Sequence, residues 1–478
     1  MLFNSLEFFI FFPIIVALYY ALPHKYRWAV LLIGSCYFYM VFVPVYILIL
    51  GFTIVVDYFA GIWLEEARGP KRKLLLIASI IANTGVLAVF KYYNFLNENL
   101  TVLLHGFTIE NPIPYLSILL PIGLSFHTFQ AMSYTIEVYR HNQKAERNFG
   151  IYALYVMFFP QLVAGPIERP QHMLHQFHRE AQLKYENIVD GLKHIAWGMF
   201  KKVVIADRIS EYVNIVYDSP HDFHGTQLLI ATLFFSFQIY CDFSGYSSIA
   251  IGTAKILDIK LMVNFRRPYL AEDIREFWQR WHISLSTWFR DYLYIPLGGS
   301  RVPVLRGYFN TFIVFLVSGL WHGANWTFVI WGALHGFYMV FAKITQPARD
   351  RINSITGLNR MPALLKGSRI FVTFLLATFA WIFFRAQSWS DASYIISNIF
   401  RLDSLQNINL FEYAADMYLS VFLILFLFVV DAMEERTSWS EKLKASPVVV
   451  RWSVYVVSLL ALFILGIWKS ADFIYFQF

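Results

Sequence analysis

An all-α, polytopic membrane protein is what these 478 residues predict, and three observations carry the prediction. Hydrophobic residues make up 58% of the chain and charged residues only 15%, against roughly 25% charged in soluble domains. Apolar runs of spanning length recur from end to end. Lys and Arg collect in the loops between alternate runs, the pattern that sets orientation in a bilayer. No long polar block is left over for a soluble domain, so residues 1–478 read as a single membrane domain. Within it, 1–145 hold N-terminal crossings, 146–345 a core with re-entrant helices, and 346–478 C-terminal crossings. The formal charge of +7 sits in a few loops. It points to orientation in membrane lipid and to anionic partners at one face, and no basic stripe suggests nucleic acid.

The first run, Phe8 to Leu22, has no basic residue ahead of it and no small-residue cleavage site, so it reads as a retained membrane helix. A basic turn (His24, Lys25, Arg27) and a basic loop (Arg68, Lys71, Arg72, Lys73) flank two further crossings broken at Pro44. Leu74 to Tyr93 leads out to a loop with Glu98 and Glu110 and no Lys or Arg, and Ile113 to Val138 returns to Arg140, Lys144 and Arg147. Ile151 to Gly165 carries Pro160 and Gly165 and is followed by more basic residues, which suits a broken or re-entrant helix. Gly191 to Ile209 is assigned a short crossing, and Leu228 to Ile256 a long one. The segment from Lys260 to Arg306 is the longest basic stretch and is placed on the cytoplasmic surface. Ile370 to Phe384, Tyr418 to Val430 and Val448 to Ile467 complete about ten crossings plus two re-entrant elements, with both termini extracytoplasmic. No internal repeat is visible, which counts against transporters built on duplicated halves. Cys36 and Cys241 lie in apolar runs and read as packing residues, with no metal site.

Two stretches carry polar chemistry. In Ser318-Gly-Leu-Trp-His-Gly-Ala-Asn-Trp326 a histidine stands between two apolar runs that enter and leave on the same side. His322 is therefore expected at the tip of a re-entrant hairpin at membrane depth, where an ionisable side chain is expensive and commonly functional. The alternative is a buried structural histidine at a helix break. The second stretch, Glu276 to Gly299, reads as one interfacial helix: at 100° per residue Trp278, Trp281, Leu285, Trp288, Phe289 and Tyr292 share an apolar arc, with His282 just beyond its rim. Arg290 and Tyr294 on this stretch, and Trp321 and Asn325 beside His322, are the candidate substrate contacts. Neither histidine belongs to an HxxxH or HExxH pattern, which favours acid/base work over metal binding. His335 reads as a packing residue next to Gly336, with a third polar group of the cavity as the alternative, and Asp242 as a structural membrane-buried acid that pairs with Lys or Arg or hydrogen-bonds across helices.

Taken together, Leu120-Pro-Ile-Gly-Leu-Ser-Phe-His-Thr-Phe-Gln130, Phe159-Pro-Gln-Leu-Val-Ala-Gly-Pro-Ile167, Tyr240-Cys-Asp-Phe-Ser-Gly-Tyr246, Glu276 to Gly299 and Gly319-Leu-Trp-His-Gly-Ala-Asn-Trp-Thr-Phe328 resemble the membrane-bound O-acyltransferase family. The resemblance is greatest to its bacterial alginate O-acetyltransferase-like branch, from which Ser248 departs where that branch often carries an acid. It implies helices around a central tunnel, with His322 as the essential catalytic residue and His282 as a second polar residue on the cytoplasmic side. It also implies an acyl donor, acetyl-CoA or an acyl-carrier thioester, with no bound cofactor. An extracytoplasmic acetyltransferase subunit and a polysaccharide acceptor at a bacterial inner membrane complete what it implies. In this reading His322 is the base for acyl transfer from a thioester to a hydroxyl. D-alanyl transfer to teichoic acid, and glycan export without acyl chemistry, are the alternatives.

Overall fold

The structure is a computed structural model that describes residues 1–117, 121–401, 408–437, 439–468 and 473–474. Leu120, the first residue of one motif above, lies outside them. Among the described residues every regular element is a helix. In chain order these are α1 (Leu6–Ala21), α2 (His24–Met40), α3 (Tyr46–Glu66), α4 (Pro70–Leu87), α5 (Tyr93–His105), α6 (Leu124–Tyr139), α7 (Phe149–Met157) and α8 (Phe159–Leu162). Next come α9 (Pro170–His178), α10 (Tyr185–Met199), α11 (Asp207–Asp218), α12 (Thr226–Ile256), α13 (Ile274–Arg280), α14 (Ile283–Phe289), α15 (Val304–His322) and α16 (Trp326–Ile344). The rest are α17 (Gln346–Ile355), α18 (Pro362–Arg385), α19 (Trp389–Asn398), α20 (Ala414–Glu434), α21 (Trp439–Ala445) and α22 (Val448–Leu465).

Eight of the described helical stretches are long and apolar enough to cross a membrane: α3, the continuous α4–α5 stretch, α12, α15, α16, α18, α20 and α22. The apolar α1 is shorter. Only 17% of the apolar window of α20 and 6% of that of α22 is covered by protein. Apolar surface on that scale is untenable in water and is the natural lipid-facing side of a bundle.

The spans differ from the sequence reading in physically clear places. The arms of the His322 hairpin are not short runs: α15 and α16 have 19 residues each. At 1.5 Å per residue each rises about 28 Å, close to the roughly 30 Å apolar thickness of a bilayer. The apolar run starts at Thr311, but the helix continues back through Asn310, Tyr308 and Arg306 to Val304, which hydropathy alone conceals. Gly191 to Ile209 covers the junction of α10, a π-helical segment (Phe200–Ala206) and α11. Lys201 and Lys202 are buried, and Lys202 pairs with Asp207 and Asp242, both at 2.8 Å. Asp242 thus has the cationic partner expected of it. In the stretch that starts at Ile113, α6 begins at Leu124, after Gly123 in the left-handed region (φ 76°). Ile151 to Gly165 is a broken, buried element: α7 ends at Met157, and Phe158 leaves helical geometry before α8.

The chain forms two compact units. The first comprises Met1–Ile195 and Tyr246–Met262. In it α3, α4 and α6 close on a buried carboxylate, Asp57, which accepts from Ser79 Oγ at 2.6 Å and from Asn83 Nδ2 at 2.8 Å. Those hydrogen bonds satisfy the oxygens of an acidic side chain set deep among apolar helices.

The second unit comprises Ala196–Gly245 and Val263–Phe478 and holds both polar stretches. Its α15 and α16 pack through two glycines. A Cβ on Gly319 would stand 2.2 Å from the Phe328 carbonyl oxygen and 3.1 Å from Gly332 Cα, and one on Gly332 would stand 2.4 Å from the Phe315 oxygen. Backbone meets backbone here, the close approach that small residues permit between membrane helices. Asn325 starts the return arm by accepting the Thr327 N–H at 3.0 Å, a side-chain N-cap.

Because the obstructing atoms are backbone, Gly319→Ala and Gly332→Ala should each destabilise the protein by roughly 1–3 kcal/mol, the usual cost of overpacking. The measurement is the unfolding temperature in detergent. Gly367→Ala, inside α18 with no atom within 4 Å of the added Cβ, is the control expected to stay at or somewhat above the wild-type value, since alanine favours a helix over glycine.

Candidate active site

His322 is the last residue of α15, and Gly323 after it is extended, so the imidazole sits where the helix stops. A Cβ on Gly323 would lie 2.1 Å from the Phe328 ring, so only glycine lets the chain turn this close to the return arm. The imidazole is 4% exposed. Three aromatic rings box it in: Trp321 and Trp331 with centroids at 4.9 Å and Phe384 at 5.2 Å, all edge-on. Trp331 comes from α16 and Phe384 from α18, so three helices build the box.

His282 arrives from a different direction. The expected single helix over Glu276 to Gly299 breaks at Trp281–His282, where Trp281 is extended and His282 is left-handed (φ 43°). The break has a tertiary cause in Asn264. Its backbone oxygen accepts the Ile283 N–H at 2.9 Å, and its Oδ1 accepts the Ser284 N–H at 3.2 Å and the Ser284 hydroxyl at 2.9 Å. Asn264 therefore caps α14, and wheel geometry cannot see it. A histidine held at positive φ is uncommon and costs of order 1–3 kcal/mol, a strain that concentrates at functional sites.

The same asparagine sets the His282 tautomer. The amide atom that faces the Ser284 N–H must be oxygen, and His282 Nδ1 lies 3.2 Å from it. Nδ1 therefore donates, and Nε2 carries the ring's lone pair. Burial lowers the His282 pKa to about 3, so the ring is neutral at physiological pH. Instead of lying just beyond the rim of an apolar helix face, His282 is fully buried against Phe243 (4.6 Å).

Trp321 links the two histidines, its ring 4.9 Å from His322 and 6.3 Å from His282. A third histidine joins them. His335 is fully buried, 4.9 Å from Trp331, and accepts the Trp278 indole N–H at 3.2 Å. The other sequence candidates stand elsewhere. Asn325 caps α16 and donates to the Gln387 carbonyl at 2.9 Å. Arg290 is exposed and pairs with Asp291 at 2.8 Å. Tyr294 lines a cavity of about 380 Å³ with Arg275, Tyr308, Met339 and Lys343. Sequence reasoning missed Asn264, Trp331 and Phe384, which lie outside any local pattern around the histidines.

Buried imidazoles in an aromatic lining, two of them oriented by hydrogen bonds, are suited to proton transfer in a water-poor site. The membrane-bound O-acyltransferase family model matches residues 147–384, which contain all three histidines. The probable alginate O-acetylase AlgI of Pseudomonas aeruginosa is 38% identical over 81% of this chain and 72% of its own length. This chain belongs to the membrane-bound O-acyltransferase family. The peptidoglycan O-acetyltransferase of Helicobacter pylori is 35% identical over 81% of this chain and 76% of its own. A teichoic acid D-alanyltransferase of Streptococcus thermophilus is more distant, 28% identical over 55% of this chain and 68% of its own. The protein is therefore a multi-pass membrane O-acyltransferase.

Asn264→Ala tests whether His282 is oriented by its neighbour. The substitution strands the His282 and Ser284 donors, each at roughly 1–3 kcal/mol if left unpaired. Acyl transfer by the variant in vesicles should fall by about tenfold or more, and unchanged turnover would show that the tautomer of His282 is irrelevant.

Proposed function

We propose that the protein moves an acetyl group from a cytoplasmic thioester, acetyl-CoA or a charged acyl-carrier protein, toward O-acetylation of an extracytoplasmic polysaccharide. The observation that carries the reading is the buried His322 in its aromatic box, joined through Trp321 to a neutral His282 whose Nε2 holds a lone pair. His322 takes the proton of the attacking hydroxyl, the hydroxyl oxygen bonds to the thioester carbon, and collapse of the adduct breaks the C–S bond. The proton held by His322 then passes to the departing thiolate. His282 positions the acceptor or relays its proton.

The acetyl assignment follows the relatives matched at 35–38% identity over most of the chain, which are named for O-acetylation. D-alanyl transfer is second, since the relative named for it is matched over only 55% of this chain. The basic segment from Arg266 to Arg306 suits a phosphate-bearing donor or an acidic carrier. This reading places the protein in a bacterial inner membrane with both termini outside. There an extracytoplasmic acetyltransferase subunit hands the acetyl group to the polysaccharide.

The test is release of label from acetyl-CoA, acetyl-carrier protein and D-alanyl-carrier protein by the reconstituted protein. His322→Ala should lose roughly 10²–10⁴-fold of the turnover, the usual contribution of a general base. Wild-type turnover in a normally inserted His322→Ala variant would contradict the assignment, and turnover of the D-alanyl donor alone would replace acetyl transfer with the second reading.

A further inference from the structure

One row of α16 offers polar atoms to the interior at each turn. Thr327, Trp331 and His335 follow at four-residue spacing, which places them along one side of the helix, and all three are fully buried. The Thr327 hydroxyl, the Trp331 Nε1 and the His335 Nε2 have no hydrogen-bond partner among the described residues. Two of these atoms are donors only. An indole nitrogen cannot accept. Because His335 Nδ1 accepts the Trp278 N–H at 3.2 Å, the neutral His335 ring keeps its proton on Nε2.

Buried donors are almost always paired in folded proteins, so a row of them marks a guest that brings acceptors. Successive residues of the row rise about 6 Å along the helix. In an extended acyl thioester arm with an amide beyond the sulfur, the thioester and amide carbonyl carbons are separated by five bonds, again about 6 Å. The same row continues through Met339 to Lys343, and both line the cavity of about 380 Å³ that also holds Arg275 and Tyr294. One end of the row is thus basic, and the other reaches His322, whose ring centroid is 4.9 Å from that of Trp331.

We infer that this row of α16 binds the carbonyl oxygens of the acyl donor: Trp331 Nε1–H donates to the thioester oxygen beside His322, and His335 Nε2–H donates to the next carbonyl along the arm. The inference rests on the acyl-transfer reading and gives it an oxyanion donor. When the acceptor oxygen adds to the thioester carbon, the carbonyl electron pair moves onto oxygen and Trp331 holds that charge. When the pair returns, the C–S bond breaks and the thiolate takes the proton from His322. His335 makes its bond equally before and during reaction, so it governs binding and leaves the chemical step alone.

Steady-state turnover of acetyl-CoA by the full chain in vesicles, paired with binding of S-ethyl-CoA, separates these roles. S-ethyl-CoA is a thioether that lacks the thioester oxygen. Trp331→Phe keeps the ring and removes the N–H, so kcat should fall about 10²–10³-fold, while affinity for S-ethyl-CoA stays at the wild-type value. His335→Leu should raise KM about tenfold with kcat unchanged and weaken S-ethyl-CoA to the same extent. His335→Gln, whose amide N–H reaches the Nε2 position, should restore both. Wild-type kcat in Trp331→Phe, or a His335→Gln as impaired as His335→Leu, overturns the inference and leaves acyl transfer standing. Absence of turnover in the wild type with acetyl-CoA, acetyl-carrier protein and D-alanyl-carrier protein alike removes the acyl-transfer reading and this inference with it.

Discussion

The contact between Gly319 and Gly332 is the constraint on which the site depends. With no side chain on either glycine, α15 and α16 approach until the Cα of one lies just over 3 Å from where a Cβ on the other would stand. That approach puts His322, at the end of one arm, beside Trp331, just before Gly332 on the other. Lipid offers no hydrophobic incentive for two apolar helices to leave it, so their association relies on close packing and on polar contacts. The hairpin supplies the close packing through its glycines.

Around that contact the protein sets its histidines among aromatic rings rather than carboxylates. The rings that touch His322 are Trp321, Trp331 and Phe384, and the rings that touch His335 include Trp278 and Trp331. Aromatic walls exclude water and supply no fixed negative charge. Hydrogen bonds then choose the tautomer. Asn264 makes His282 a donor at Nδ1, and Trp278 makes His335 an acceptor at Nδ1. The two rings accordingly present opposite characters at Nε2, a lone pair on His282 and a proton on His335, from the same side-chain type.

Much of this was legible in the sequence. Composition and the spacing of apolar runs identified a multi-pass helical protein, and the polar residues around His322 marked the residue that the structure encloses. The errors arose where tertiary contacts override local pattern. Hydropathy started the hairpin at Thr311 because Asn310 and Arg306 are polar, whereas Asn310 is buried and donates to the Leu297 carbonyl at 3.0 Å. The helical wheel continued through His282 because Asn264, eighteen residues upstream, cannot be read as a helix cap from its neighbours. Lys202 looked like part of a crossing, and only its contacts with Asp207 and Asp242 explain how a buried ammonium is tolerated there. His335 packs as its place beside Gly336 suggests, and its hydrogen bond from Trp278, fifty-seven residues away, is invisible to local pattern.

The central claim is that the reacting carbonyl lies in the aromatic box at the end of α15. An electron cryomicroscopy map of the protein with a non-hydrolysable acetyl-CoA analogue, its thioester replaced by a ketone, tests it most directly. The account predicts density for the ketone carbon between the His322 imidazole and the Trp331 indole, with the nucleotide end toward Lys343 and Arg275. Analogue density confined to a surface cleft, with no density between His322 and Trp331, would contradict it.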